Sequence, residues 1–331
     1  MNTVTRNEQS AWIRNTIWLA ALTVIIGLTH VACAQEIVDP QEAKTDPDFA
    51  VQGEYVGEGT LTDGTKAKVG AHVIAMGDSE FDIVVYTGGL PGDGWKRGDN
   101  RLFMKAKGKG GSGDIHGDGI TGTVAGGKLS AAAAGNDGKL DIRLEKTERR
   151  SPSLGAKPPE GAVVLFDGTD VKNFPGATLT EMKTLQAGTK WNSQAAISKF
   201  HLEFRLSYKP KARGQGRSNS GVFLGGCPEI QVLDSFGLEG RKNECGALYN
   251  RREPDVNMCF PPLTWQTYDV EFKPIKSDDG NSTAKTGFTV RHNGVVIHPG
   301  YQVGGKPSDP RGLSLQKHGN RVQYRNIWLL P

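Results

Sequence analysis

The residues best able to move protons lie on short stretches of alternating character. In Glu229-Ile-Gln-Val-Leu-Asp234, Glu229 and Gln231 are two apart, so on a strand both project from one face. Glu203 and Arg205 stand in the same relation within Phe200-His-Leu-Glu-Phe-Arg-Leu206, as do Gln316 and His318 after Leu313 and Leu315. A carboxylate and an imidazole can exchange protons near neutral pH, and a guanidinium can pair with a carboxylate or steady an oxyanion. Asn219 and Tyr249 add groups that hydrogen-bond hydroxyls. Asp234, of opposite parity to Glu229, suits a binding site and equally suits a cap on the turn Ser235-Phe236-Gly237. Alternating polar residues are also what any solvated strand face shows, and Trp265 and Trp328 fit a core as well as a stacking surface, so spacing alone leaves both readings open.

These residues need strands to position them, and strands are what the chain offers. Phe200–Leu206 and Tyr268–Lys273 alternate with period two, and Phe288–His292 and Val295–His298 flank Asn293-Gly294, a strong hairpin signal. Val322–Leu330 reads as a last strand. Earlier, Ala71–Met76 and Phe81–Tyr86 are rich in Val, Ile and aromatic residues on either side of Gly77–Glu80, and a glycine-rich stretch follows from Gly108 to Gly138. Gly122–Lys128 nearly matches a phosphate-binding loop, but Leu129 stands where Ser or Thr is needed, so its glycines read as turn residues. No helical periodicity appears, which predicts an all-β protein: a small Gly-rich β domain over residues 51–148, a Pro-rich linker over 149–160 and an antiparallel β-sandwich over 161–331.

The start of the chain predicts export. Arg6 and Arg14 precede an apolar run from Ile17 to Leu28, too short to span a bilayer securely, and Ala32-Cys33-Ala34 forms a small-x-small cleavage site. Residues 1–34 thus read as a signal peptide and 35–50 as a linker, with lipidation at Cys33 as the minority alternative. The mature protein is expected in the periplasm or outside the cell, with no transmembrane segment. The 40 basic and 36 acidic residues of the full 331-residue chain are dispersed without a basic block, which argues against nucleic acid as a partner. An oxidising compartment favours a disulfide between Cys245 and Cys259, whose loop is rich in turn formers, with Cys227 unpaired. No compact Cys/His cluster points to a metal, although Glu229 and His318 leave a divalent ion open.

The second half also carries an ordered set of motifs: Val163-Val-Leu-Phe-Asp-Gly-Thr-Asp170, Asn219-Ser-Gly-Val-Phe-Leu224, Glu229–Asp234, Gly246-Ala-Leu-Tyr249, Pro261-Pro262 with Trp265-Gln-Thr-Tyr268, Arg291-His-Asn-Gly294, Leu313–Asn320 and Tyr324-Arg-Asn-Ile-Trp328. In this order the set resembles the 3-keto-disaccharide hydrolase domain, over roughly residues 161–331. Gly176–Ala195 departs from it, lacking the tryptophan-centred strand usual near the domain start. The resemblance implies a concanavalin-like jelly-roll sandwich, a carbohydrate substrate and hydrolysis of glycosides oxidised at C3. A C3 ketone acidifies the C2 hydrogen, so a base can form an enolate that expels the C1 oxygen before water adds back. Glu229, His318 and Glu203 are then the candidate catalytic residues, with Glu229, Gln231 and His318 expected to share one pocket and Glu203 and Arg205 nearby on an adjacent strand. Arg205, Asn219, Gln231, Asp234, Tyr249 and Gln316 are the candidate substrate-binding residues, and no cofactor is expected, with a divalent metal left open. The alternatives are a carbohydrate-binding module without catalysis and a structural envelope protein, since sandwiches host all three.

Overall fold

The computed structural model describes residues 35–331 apart from 62, 118, 136–137, 193–196, 277–281 and 304–311. The expected signal segment, Cys33 included, lies outside the described residues. The protein is built almost wholly of strands, in a barrel followed by a sandwich.

The barrel strands are β1 (Gly53–Thr60), β2 (Lys66–Gly77), β3 (Glu80–Thr87), β6 (Arg101–Gly108), β7 (Ser112–Gly117), β8 (Ile120–Ala125), β9 (Lys128–Gly135) and β10 (Gly138–Thr147), closed by β1 pairing with both β2 and β10. Between β3 and β6, the two-residue strands β4 (Leu90–Pro91) and β5 (Gly94–Trp95) form a small parallel pair. The Gly126-Gly127 turn joins β8 to β9, so the phosphate-loop lookalike is a hairpin. Val69, Ala71, Val73 and Ala75 of β2 fill the barrel interior with Phe81, Ile83 and Val85 of β3. The alternate residues Ile74, Val84 and Tyr86 belong instead to the sandwich core. Burial on both faces is why these strands read as almost continuous apolar runs.

The sandwich has a seven-stranded and a four-stranded sheet. The larger contains β11 (Val163–Phe166), β12 (Leu185–Gln186), β14 (Lys199–Arg205), β17 (Trp265–Lys276), β18 (Ser282–His292), β19 (Val295–Val303) and β21 (Gln323–Leu330), and β21 lies between β11 and β14. The smaller runs β13 (Thr189–Trp191), β20 (Leu313–Leu315), β15 (Asn219–Leu224), β16 (Ile230–Leu233). Both β12 and β13 fall in the stretch that departs from the family's pattern. Phe200, Leu202 and Phe204 face Val222, Leu224, Ile230 and Val232 between the sheets. The Tyr324 hydroxyl donates to Ser220 Oγ across the gap, at 2.7 Å.

Two stretches read as linkers are docked chain. Within 35–50, α1 (Pro40–Ala43) forms behind an Asp39 cap, and α2 (Pro47–Val51) begins within it behind Asp46. Ile37 pairs with Tyr208, and Glu36 accepts from Ser207 Oγ. In 149–160, Arg149 ion-pairs with Glu54 and lies over Phe260, 5.1 Å from the ring centre. Ser151 and Ser153 then bond Thr267 and Asp269. The prolines fix this segment as a strap across the outer face of the larger sheet. Among the described residues, no helix is long and apolar enough to cross a membrane.

Candidate functional site

Five of the predicted residues converge on the outer face of the four-stranded sheet. β15 and β16 pair Gly221 with Gln231, and Gln316 N donates to Gly221 O at 2.9 Å, which sets Gln231, Gly221 and Gln316 side by side across three strands. Asn219 lies two residues from Gly221 on the same face. Gly246–Tyr249 extends the sheet beyond β16: Ile230 bridges Leu248, and Tyr249 N donates to Glu229 O. Ile230 and Leu248 both enter the core, so Glu229 and Tyr249 take the opposite, outer face.

Glu229, immediately before β16, lays its carboxyl flat over Gly221. A Cβ at Gly221 would lie 1.9 Å from Glu229 Oε1, so the absence of a side chain there is what admits the carboxyl. Among the described residues no group hydrogen-bonds that carboxyl. Its half-buried position, with no cation beside it among the described residues to offset the lost hydration, pushes its pKa up to about 7. A carboxyl that titrates near neutrality can take up and return a proton under physiological conditions.

The amides around it are held from behind. Gln215, in the short turn Gly214–Gly216, accepts from Asn219 Nδ2 at 2.9 Å and from Gln231 Nε2 at 3.1 Å, while its own amide donates to Asn243 O. Gln231 is therefore a positioned residue with little bonding capacity to spare. Asn219 Oδ1 is buried without a partner among the described residues, an acceptor that a hydroxyl donor would satisfy. Gln215, Asn243 and Gly221 had not been singled out; the first two sit in loops whose composition gives no signal.

His318 stands exposed in the turn after β20, two residues past Gln316. That turn is tied to the same face, because Asn320 Oδ1 accepts from Asn219 N at 3.0 Å. Asp234 caps its turn by accepting from Phe236 N, and it ion-pairs with the buried Arg217 at 2.7 Å. It belongs to the far end of β16 rather than to the Glu229 cluster.

Glu203 and Arg205 do not join this site. They lie on β14, in the other sheet, and alternation turns them to that sheet's outer face, beneath the strap. Glu203 is fully buried. Burial would raise its pKa, but His201, the Asn326 amide, Gly155 N–H and Arg325 outweigh that and hold it at about 2. Arg205 donates twice to Gln323 Oε1, and with Arg325 it brackets the Trp265 ring, at 4.8 and 4.0 Å. The expected adjacency assumed that all three polar strands share one sheet; they are divided between two. The expected disulfide is also not formed: Cys227, Cys245 and Cys259 are free thiols. Cys245 and Cys259 are buried, and Cys245 lies 3.3 Å from the Tyr268 hydroxyl. No group of three or more His, Cys, Asp or Glu converges among the described residues in a way that could hold a metal ion.

A family model described as the 3-keto-alpha-glucoside-1,2-lyase-like domain matches residues 161–330. Two solved structures, both candidate glycosyl hydrolases from Parabacteroides distasonis, are similar to the chain. One is 24% identical with a TM-score of 0.43, covering 52% of this chain and 84% of its own. The other is 18% identical with a TM-score of 0.37, covering 52% and 94%. No curated protein is significantly similar.

Proposed function

The chain belongs to the family of 3-keto-alpha-glucoside-1,2-lyase-like domains, and from that premise we propose that it is an exported hydrolase that cleaves glycosides oxidised at C3, with Glu229 as its base. The observation that carries this reading is the Glu229 carboxyl, without a hydrogen-bond partner among the described residues and with its pKa pushed up to about 7, beside the amides of Asn219, Gln231 and Gln316 and the Tyr249 phenol. An ordinary glycosidase sets two carboxylates around the anomeric carbon, and among the described residues this face supplies one. One base suffices when a C3 ketone has already acidified the C2 hydrogen.

In the proposed sequence Glu229 takes the C2 proton, and the electron pair moves into the C2–C3 bond and onto the C3 oxygen. Gln316 and Tyr249 offer N–H and O–H donors to that oxygen. Collapse of the enolate breaks the bond from C1 to the glycosidic oxygen, which leaves with a proton from His318 or water. Water then adds across the C1–C2 double bond, with hydroxide at C1 and the proton returned to C2, so the net change is hydrolysis. The apolar segment before Ala34 supports delivery to the periplasm or beyond.

The test compares purified protein on 3-keto-glucosides and on the same glucosides unoxidised, with released aglycone as the readout. Release is expected from the oxidised series only, with kcat/KM rising as pH passes through about 7 and Glu229 ionises. Equal cleavage of the unoxidised series would remove the elimination route.

A further inference from the structure

At the opposite end of β16 from Glu229 lies a cavity of about 610 Å³, in the range of small-molecule sites. It belongs neither to the barrel nor to the sandwich alone. One wall is the outer surface of β2, β3 and β6, through Ile74, Met76, Val84 and Phe103; the other is the turn after β16, through Phe236 and Leu238. Phe103 and Leu238 are 61% and 44% exposed, two of the six most exposed large apolar side chains among the described residues, and both stand at this one site. Apolar residues left to water around a single concavity mark a place where something else covers them.

The charges around this wall are unequal. Asp82 is paired with Lys105 at 2.9 Å, and Asp234 with Arg217 at 2.7 Å. Arg213 has no carboxylate partner among the described residues; it donates only to the carbonyls of Pro210, Ala212 and Met76. Its guanidinium is the one cation on the lining left without a counter-charge, and Arg217 Nη2 is buried nearby with no partner.

We propose that this cleft is a second small-molecule site, separate from the Glu229 face, which takes a flat, largely apolar ligand bearing one carboxylate, such as an aromatic acid. The ring system packs between Phe103, Ile74 and Phe236, and the carboxylate meets Arg213. The cleft exists only because barrel and sandwich are joined, which gives the N-terminal barrel a role in binding. The site also touches Gly214, in the turn whose Gln215 holds Gln231 and Asn219. The cleft and the Glu229 face thus lie on either side of this turn.

The test uses 2-naphthoate and its uncharged counterpart 2-naphthalenemethanol as probes, titrated calorimetrically into the intact protein. The naphthoate is expected to bind at least tenfold more tightly than the alcohol. Arg213→Gln should remove most of that difference while leaving alcohol binding unchanged. Phe103→Ala, at a position 61% exposed, should weaken both probes severalfold. Thermal melts of both variants check that they are folded. No binding of either probe at millimolar concentration would overturn the proposal, as would binding that neither substitution alters.

Discussion

Glu203 and Glu229 occupy equivalent places in the two sheets. Each is a carboxylate on an outer sheet face, Glu203 within β14 and Glu229 immediately before β16, and the inward residues of both strands form the same inter-sheet core. One is held at about 2 and the other rises to about 7. The difference comes from what covers each face. Over the larger sheet the strap brings Gly155 N–H to Glu203, β21 brings Arg325 and Asn326, and the carboxylate becomes a fixed, fully bonded anchor. Over the smaller sheet nothing of that kind arrives among the described residues, and the Glu229 carboxyl keeps its bonding capacity. A carboxylate saturated by its own protein has no reason to take a proton from a substrate; one that is partly desolvated and unpaired does.

The contrast can be broken most directly at Glu229. Glu229→Gln keeps the shape and removes the base, so turnover of a 3-keto-glucoside should fall about 100- to 10,000-fold while the melting curve stays cooperative. Normal turnover in this variant would take Glu229 out of the mechanism. Glu203→Ala should do the reverse. It leaves Arg325 and Gly155 N–H without their partner and should cost about 3 kcal/mol of stability, read from urea titration, with turnover per folded molecule little changed. A smaller effect tests the seating of the base. Gly221→Ala places a methyl where Glu229 Oε1 lies and swings the carboxyl away, which should lower kcat about tenfold with little change in melting temperature, since only the end of a flexible side chain must move.

The smallest effects are in pH. Glu203, depressed from 4.5 to about 2, contributes stability that is present above pH 4.5 and lost as pH falls towards 2. Glu229, raised from 4.5 to about 7, behaves oppositely: its protonated form suits the fold, so its contribution is present below pH 4.5 and lost as pH rises through 7. Glu229→Gln should therefore stabilise the protein at pH 9 relative to pH 5 by on the order of 1 kcal/mol after solvent screening. A melting-temperature difference that is flat between those pH values would deny the raised pKa.

Much of this was legible in the sequence, for definite reasons. The period-two runs and Asn293-Gly294 announced β14, β17, β18 and β19, and parity put Glu229, Gln231 and Gln316 on outer faces. Parity cannot say which sheet a strand joins. That depends on long-range pairing such as β14 with β21, and so Glu203 was grouped with Glu229 although they lie on opposite faces. The proline-rich 149–160 segment carries Arg149, Ser151 and Ser153, whose partners Glu54, Thr267 and Asp269 are 95 to 116 residues away and leave no local trace. Gln215 was invisible for the same reason: a polar residue between glycines signals a turn, and only the fold shows that the turn holds two amides of the site.

The position of β21 has a consequence for how the chain reaches this state. Because Gln323–Leu330 lies between β11 and β14, the larger sheet cannot close until that segment has been synthesised. The pairing of Val163 with Leu329 spans almost the whole sandwich, and contacts so far apart in sequence form slowly. Ile74, Val84, Tyr86 and Trp95 of the barrel region wait on the same event, since their outward faces are buried only against the finished sandwich. Delay of this kind leaves those outward faces, and the edges of β11 and β14, open until the last strand of the chain has been made.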